Sequence, residues 1–187
     1  DEDYGTDGVA TWHGHFNDDG YAMAPQPDGK VLVVGQTDRE EGTADFGVVR
    51  FQPDGSLDEG FGTNGVVRWA DNQGNFGETA RAVALQPDGK ILVAGTAFGS
   101  EAMPSPEYDF TLVRFHGDGS LDTDFGTDGV ARWDGGADAR AYAVAVQPDG
   151  KVLVTGKISD PVEGEKNFGV VRFNADGTLD TGFGNDG

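Results

Sequence analysis

The chain has 187 residues, enough for one domain with a proper core, and no cysteine, which removes disulfide frameworks and thiol chemistry. Thirteen basic against thirty-three acidic residues leave a net charge of −20. That balance argues against nucleic acid and anionic membranes as partners, since both are bound through Lys and Arg that displace counterions. No apolar run approaches the roughly 20 residues of a membrane span, and the N-terminal residues show no basic-then-apolar signal segment.

Thirty-one glycines and eight prolines among short valine-rich runs predict strands joined by tight turns. Tyr4-Gly5-Thr6-Asp7-Gly8-Val9-Ala10-Thr11-Trp12 comes first, a turn-and-strand unit with no partner before it. The string QPDGKVLVVG then opens at Gln26 and returns, nearly unchanged, at Gln86 and Gln147. The spacings are 60 and 61 residues, and a fixed period of this kind marks a repeat architecture.

Each repeat reads as four short strands. In the first they are Tyr21 to Pro25, Val31 to Val34, Phe46 to Phe51 and Val66 to Trp69. In the second they are Arg81 to Leu85, Lys90 to Gly95, Phe110 to Phe115 and Val130 to Trp133. The third supplies Tyr142 to Val146, Val152 to Thr155 and Phe168 to Phe173, then Phe183-Gly184-Asn185-Asp186-Gly187 where a fourth strand is due. Pro-Asp-Gly at 27–29, 87–89 and 148–150 predicts the tight turns: Pro presets φ, and Gly takes the left-handed position. The runs are more often continuous than alternating, so the strands should be buried on both faces. Small residues at Ala22/Ala24, Ala82/Ala84 and Ala143/Ala145 suit an innermost strand where neighbouring sheets converge. An all-β β-propeller gives this pattern.

The string Ala82 to Gly95 (AVALQPDGKILVAG), a strand ending in Arg114-Phe115 and the turn Asp118 to Gly129 (DGSLDTDFGTDG) resemble the delta-60 repeats of bacterial surface and secreted proteins. The resemblance spans nearly the whole chain. It implies a β-propeller with one blade per repeat and an extracellular or cell-surface setting, and it implies no particular activity. The chain is thus expected to be a single repeat domain over 1–187. Its blades lie at about 20–69, 80–133 and 141–187, the last completed by the strand at 8–12. Closed propellers usually have four to eight blades, so three-fold β-trefoils and β-prisms are the structural alternatives. Self-association as a homodimer of three plus three blades would restore a common number and close the open edges.

Several residues could carry chemistry. Asp28, Asp88 and Asp149, then Asp54, Asp118 and Asp176, then Asp58, Asp122 and Asp180 recur in the turns. They suit Ca²⁺ or, before glycine, ordinary turn chemistry. His13 and His15 form an H-x-H whose rings point the same way on an extended chain, with His116 the only other histidine, so a metal held here would take its third ligand from His116 or an acidic side chain; the alternative is an ordinary surface loop. Trp12, Trp69 and Trp133 occupy equivalent positions, two of them beside Arg68 and Arg132. This is sugar-site chemistry on one reading and core packing on the other. Arg50, Arg114 and Arg172 lie inside apolar strands, where a lone charge is costly. Each is expected to hold Asp58, Asp122 or Asp180 in a bidentate pair that pins the following turn.

No cysteine and no G-x-S-x-G elbow are present for nucleophilic catalysis. Every regular carboxylate occurs in triplicate, whereas one active site is expected where the repeats differ. The segments that differ are Gln36 to Ala44, Thr96 to Tyr108 and Lys157 to Lys166, together with Ala70 to Thr79 and His13 to Gly20, and the longest departure is Met103-Pro104-Ser105-Pro106. The expected function is therefore non-enzymatic: an extracellular binding or scaffold module with a protein or glycan ligand. A carbohydrate-binding propeller using the Trp and Arg positions is the first alternative, and a glycan hydrolase or lyase the second.

Overall fold

In a computed structural model of the chain, the strands are joined at the Pro-Asp-Gly and neighbouring turns by glycines with positive φ. The structure describes residues 1–14, 17–38, 43–71, 77–100, 107–135, 138–159, 165–184 and 187. The strands are β1 (Asp18–Pro25), β2 (Val31–Asp38), β3 (Ala44–Phe51), β4 (Val66–Trp69), β5 (Thr79–Leu85), β6 (Ile91–Ser100), β7 (Glu107–Phe115), β8 (Val130–Trp133), β9 (Ala139–Val146), β10 (Val152–Ser159) and β11 (Lys166–Phe173). They form three antiparallel sheets in the orders β1-β2-β3-β4, β5-β6-β7-β8 and β9-β10-β11. Among the described residues there is no helix.

The turns follow from local chemistry. Gly29, Gly89 and Gly150 take φ of +84°, +84° and +85°, and the preceding Asp accepts the backbone N–H of Lys30, Lys90 or Lys151. The next turn repeats the device, with Asp54, Asp118 and Asp176 accepting from both the N–H and the hydroxyl of Ser56, Ser120 and Thr178. These carboxylates act as turn-forming groups, which is why Asp precedes Gly so regularly.

Each first strand also carries a β-bulge. Pairing skips from Gly20 to Ala22, from Ala80 to Ala82 and from Ala141 to Ala143, so Tyr21, Arg81 and Tyr142 are the extra residues. Opposite each bulge stands a glycine, Gly35, Gly95 or Gly156. A Cβ on Gly95 would come within 2.1 Å of the Thr79 carbonyl oxygen, so only glycine admits the bulge there.

The sheets stack through their first strands. β5 lies on β1, β2 and β3, and β9 lies on β5, β6 and β7. We call the surface a sheet turns toward the preceding one its front and the other its back. The first seam buries Leu32, Val34, Phe46 and Val48 against Ile91, Val93, Val113 and Phe115. The second buries Leu92, Ala94, Phe110 and Leu112 against Val152, Val154, Val171 and Phe173. β6 is consequently buried on both faces from Ile91 to Phe98, as its continuous apolar run predicts. β2 carries the same kind of run yet alternates, because nothing comparable covers its front.

An arginine crosses each seam. Arg50 Nε donates to Asp58 Oδ2 at 2.7 Å, and its Nη1 donates to the Gly117 carbonyl of the second sheet at 2.5 Å. Arg114 repeats this with Asp122 at 2.7 Å and the Ala175 carbonyl of the third sheet at 2.8 Å. Arg172 Nε reaches Asp180 at the same 2.7 Å. The carboxylate contact is thus through Nε and not the bidentate fork expected; in Arg50 and Arg114 the outer fork is spent on the next sheet. Lys30, Lys90 and Lys151 complete the ion groups at 2.9, 2.9 and 2.8 Å. Each guanidinium also lies 4.3 to 4.4 Å from the centre of a phenylalanine ring, Phe61, Phe125 or Phe183.

Residues 4–12 hold the unit expected to supply a fourth strand to the third blade. Within one chain they join no sheet; Thr6 and Val9 bridge each other, and the described third sheet has three strands. The segment lies instead on the first sheet, where Gly5 N–H donates to the Asp54 carbonyl at 2.7 Å. The observed strands begin one or two residues ahead of the expected repeat starts at 20, 80 and 141.

Candidate functional site

The outer strands β4 and β8 are only four residues long. Side chains alternate along them, so Trp69 turns toward the back of its sheet and Arg68 toward the front. Trp69 is anchored on Phe46 with ring centres 5.1 Å apart, and Trp133 on Phe110 at 5.6 Å. Both pairs are tilted, an arrangement that aromatic quadrupoles favour.

Because Trp looks back and Arg looks forward, the Trp of one outer strand meets the Arg of the next. Two equivalent grooves result. One, of about 520 Å³, is lined by Trp12, His13, Gly14, Thr63, Asn64, Val66 and Arg68. The other, of about 790 Å³, has Trp69, Ala70 and Asp71 on one side and Thr127, Asp128, Val130 and Arg132 on the other, with Gly177 and Thr178 at one end. Of the five ligand-binding candidates, the structure therefore joins Trp12 with Arg68 and Trp69 with Arg132. Trp133 lines neither groove.

The two grooves differ in charge. Arg132 is fixed by Asp71, with Nη2 to Oδ2 at 2.8 Å, and by the Phe98 carbonyl at 2.9 Å. In the other groove Gly14 stands where Asp71 does, and the exposed Arg68 guanidinium lies 5.8 Å from the Trp12 ring centre. Gly14 N–H donates to Asp18 Oδ2 at 2.7 Å, and His13 Nδ1 lies 3.8 Å from the same oxygen. His15 lies outside the described residues, as does the Met103–Pro106 stretch. Among the described residues no cluster of three or more His, Asp or Glu is arranged to hold a metal ion.

Sequence reasoning marked Ala70 to Thr79, between β4 and β5, as a segment where the repeats differ, without singling out Asp71 and Glu78 within it. Glu78 is buried at the first seam. Burial, then a hydrogen bond and charge from Asp71, then the charge of Asp45, push its carboxyl up to about 8 from the ordinary 4.5. Between those values the folded chain keeps a proton that the unfolded chain releases. Stability from this group therefore falls as pH rises from about 4.5 to about 8. Asp58 and Asp122 act in the opposite sense. Burial raises each, but hydrogen bonds from Lys30 and Arg50, or Lys90 and Arg114, outweigh it and hold the carboxyl low. Their contribution is complete above the ordinary carboxylate range and is lost as pH falls through it. Glu78→Gln should flatten the decline in melting temperature between pH 5 and pH 8 while leaving the acid limb in place. Parallel wild-type and variant curves over that interval would assign the slope elsewhere.

The rim grooves offer an indole edge, a cationic fork and a hydroxyl or amide from the Thr-Asn/Asp turn within one depression. Apolar sugar faces stack on such a plate while the fork and turn bind hydroxyls. A family model described as a domain of unknown function (DUF5122) beta-propeller matches the chain over residues 26–61, 86–125 and 147–183, more than half its length. A comparison with curated proteins finds no match.

Proposed function

Since the chain belongs to the DUF5122 beta-propeller family, we propose that it is a non-enzymatic binding module whose three sheets serve as blades carrying recognition grooves along their rim. A strand of the Val9–Trp12 kind completes the third blade. The observation that carries the reading is the recurrence of one groove beside successive outer strands, Trp12 with Arg68 and Trp69 with Arg132. An enzyme concentrates its chemistry in one place, whereas equivalent sites along a rigid repeat suit a ligand that is itself repetitive and bind it with avidity. An extracellular or cell-surface setting accompanies this reading, on the resemblance to repeats of surface and secreted proteins.

The paired aromatic and guanidinium favour a carbohydrate over a protein segment as the ligand. Arg68, exposed and without an Asp71 counterpart beside it, is the stronger anchor for an acidic sugar. A glycan-array screen of the labelled chain tests this directly. Binding should be seen, and it should weaken at least tenfold in Trp12→Ala and in Arg68→Ala, both on the rim and away from the two seams. An array without a hit, or hits indifferent to both substitutions, would reject the grooves as sugar sites.

A further inference from the structure

The two rim grooves share one backbone plan and differ in the charges placed on it. Two residues beyond each tryptophan stands Gly14 in the first groove and Asp71 in the second. In both, the backbone N–H at that place binds the acid that precedes the next first-strand bulge. Gly14 N–H donates to Asp18 Oδ2 at 2.7 Å, and Asp71 N–H donates to the Glu78 carboxyl. The side chain is what differs. Asp71, only 4% exposed, occupies Arg132: Nη2 donates to its Oδ2 at 2.8 Å while Nη1 donates to the Phe98 carbonyl at 2.9 Å. Arg68 makes no ion pair among the described residues, and its exposed guanidinium lies 5.8 Å from the Trp12 ring centre. The opposite wall adds to the contrast. Asn64 and Asp128 hold the same left-handed turn position, at φ +51° and +50°, and both are exposed. One groove therefore offers an uncommitted cation beside a neutral amide. The other offers a committed cation beside two carboxylates.

We propose that the two grooves read different sugars, a carboxylated one on Trp12 and Arg68 and an uncharged one on Trp69 and Arg132, with Asp71 as the residue that sets the difference. The inference rests on the reading of both grooves as sugar sites. A sugar carboxylate in the first groove meets a guanidinium fork that can give it two parallel hydrogen bonds. In the second groove the same carboxylate would have to displace Asp71 from Arg132 and would share the space with Asp71 and Asp128. Like charges then oppose it, so the groove selects by repulsion as well as by fit. Hydroxyls meet no such penalty. They donate to Asp128 and accept from the remaining Arg132 hydrogens, while an apolar ring face stacks on Trp69.

The indole N–H signals of a ¹⁵N spectrum report on the grooves separately, because Trp12 lines the first, Trp69 the second and Trp133 neither. The probes are trigalacturonic acid and its methyl ester, one sugar with and without its charge, titrated at neutral pH. The acid should bind at Trp12 about tenfold or more tightly than at Trp69, the worth of one charge-assisted hydrogen bond. The ester should favour Trp69, and Trp133 should stay still with both. This comparison in the wild type needs no substitution. Asp71→Gly copies the first groove, and Asp71→Asn keeps the shape without the charge. Both should admit the acid at Trp69, with circular dichroism confirming that each is folded. Acid that shifts Trp12 and Trp69 alike in the wild type, or that still avoids Trp69 in both variants, overturns the assignment and leaves the grooves as sugar sites. No shift of Trp12 or Trp69 with either probe overturns the sugar reading itself, and this inference with it.

Discussion

Arg114→Met should lower the free energy of unfolding by about 3–5 kcal/mol. Arg114 and Asp122 are both buried, so the change leaves a carboxylate in the interior with Lys90, at 2.9 Å, as its remaining cation. Methionine fills much of the space and keeps contact with Phe125. The loss is therefore that of a broken ion group and not that of a cavity. Removing one partner of a buried pair is far costlier than replacing both with apolar groups, because the survivor still needs solvation. Arg114 carries a second duty: its Nη1 is bonded to the Ala175 carbonyl across the seam at 2.8 Å. Arg114→Lys, a point charge that cannot serve both acceptors, should fall between wild type and Arg114→Met. Urea denaturation measures the series. A cost for Arg114→Met below about 1 kcal/mol, the ceiling for an exposed pair, would mean the group is solvated after all.

Gly95→Ala is expected to be worse still, costing upward of about 4 kcal/mol, in the range reserved for severe steric lesions. The added carbon would lie 2.1 Å from the Thr79 carbonyl oxygen and 2.7 Å from Cζ of Phe46. The first contact is with backbone held in the bulge of β5, and the second is with a ring that is itself fully buried. Neither can yield without opening the sheet or the seam. Gly89→Ala makes the comparison sharp. Gly89 sits at φ +84°, and nothing lies within 4 Å of the position a Cβ would take. Its cost should be the conformational one alone, about 1–2 kcal/mol. Thermal melting of both variants separates collision from dihedral strain. Equal losses would show that the bulge can relax around a methyl group.

Much of the architecture could be read from residues that act locally. Pro-Asp-Gly dictates its turn without help from the rest of the chain, and the strands on either side follow from it. The pairing of Arg50 with Asp58 is legible in the same way, since a charge within an apolar strand needs a partner and the carboxylate lies eight residues on. Properties that depend on neighbours were not legible. Val31 to Val34 and Ile91 to Ala94 look alike in sequence, yet the second run is buried on both faces and the first is not, because only the middle sheet lies between two others. The bulges left one signal, the glycine closing each LVxG run, but its meaning depends on a backbone approach that no periodicity reveals. The grooves were half visible. The Trp and Arg positions stood out by repetition, while the rule that the Trp of one unit meets the Arg of the next needs the stacking order of the sheets. Asp71 and Glu78 lie in a segment whose departure from the repeat was legible, but their proximity to each other was not, because it arises from a loop that the other repeats do not copy.

The arginine bolts and the two seams have a consequence for how the molecule holds together over time. Each sheet grips only the one beside it, so cooperativity passes along the chain link by link, as in a row of coupled spins, and not through a shared centre. Among the described sheets the middle one is clasped from both sides and should open last, while the outer two are each gripped by a single neighbour and should open more readily. A lesion in the first sheet reaches the third only by way of the second. Folding can accordingly begin at either seam and spread outward, with the Arg114 crossing as the link through which the third sheet joins.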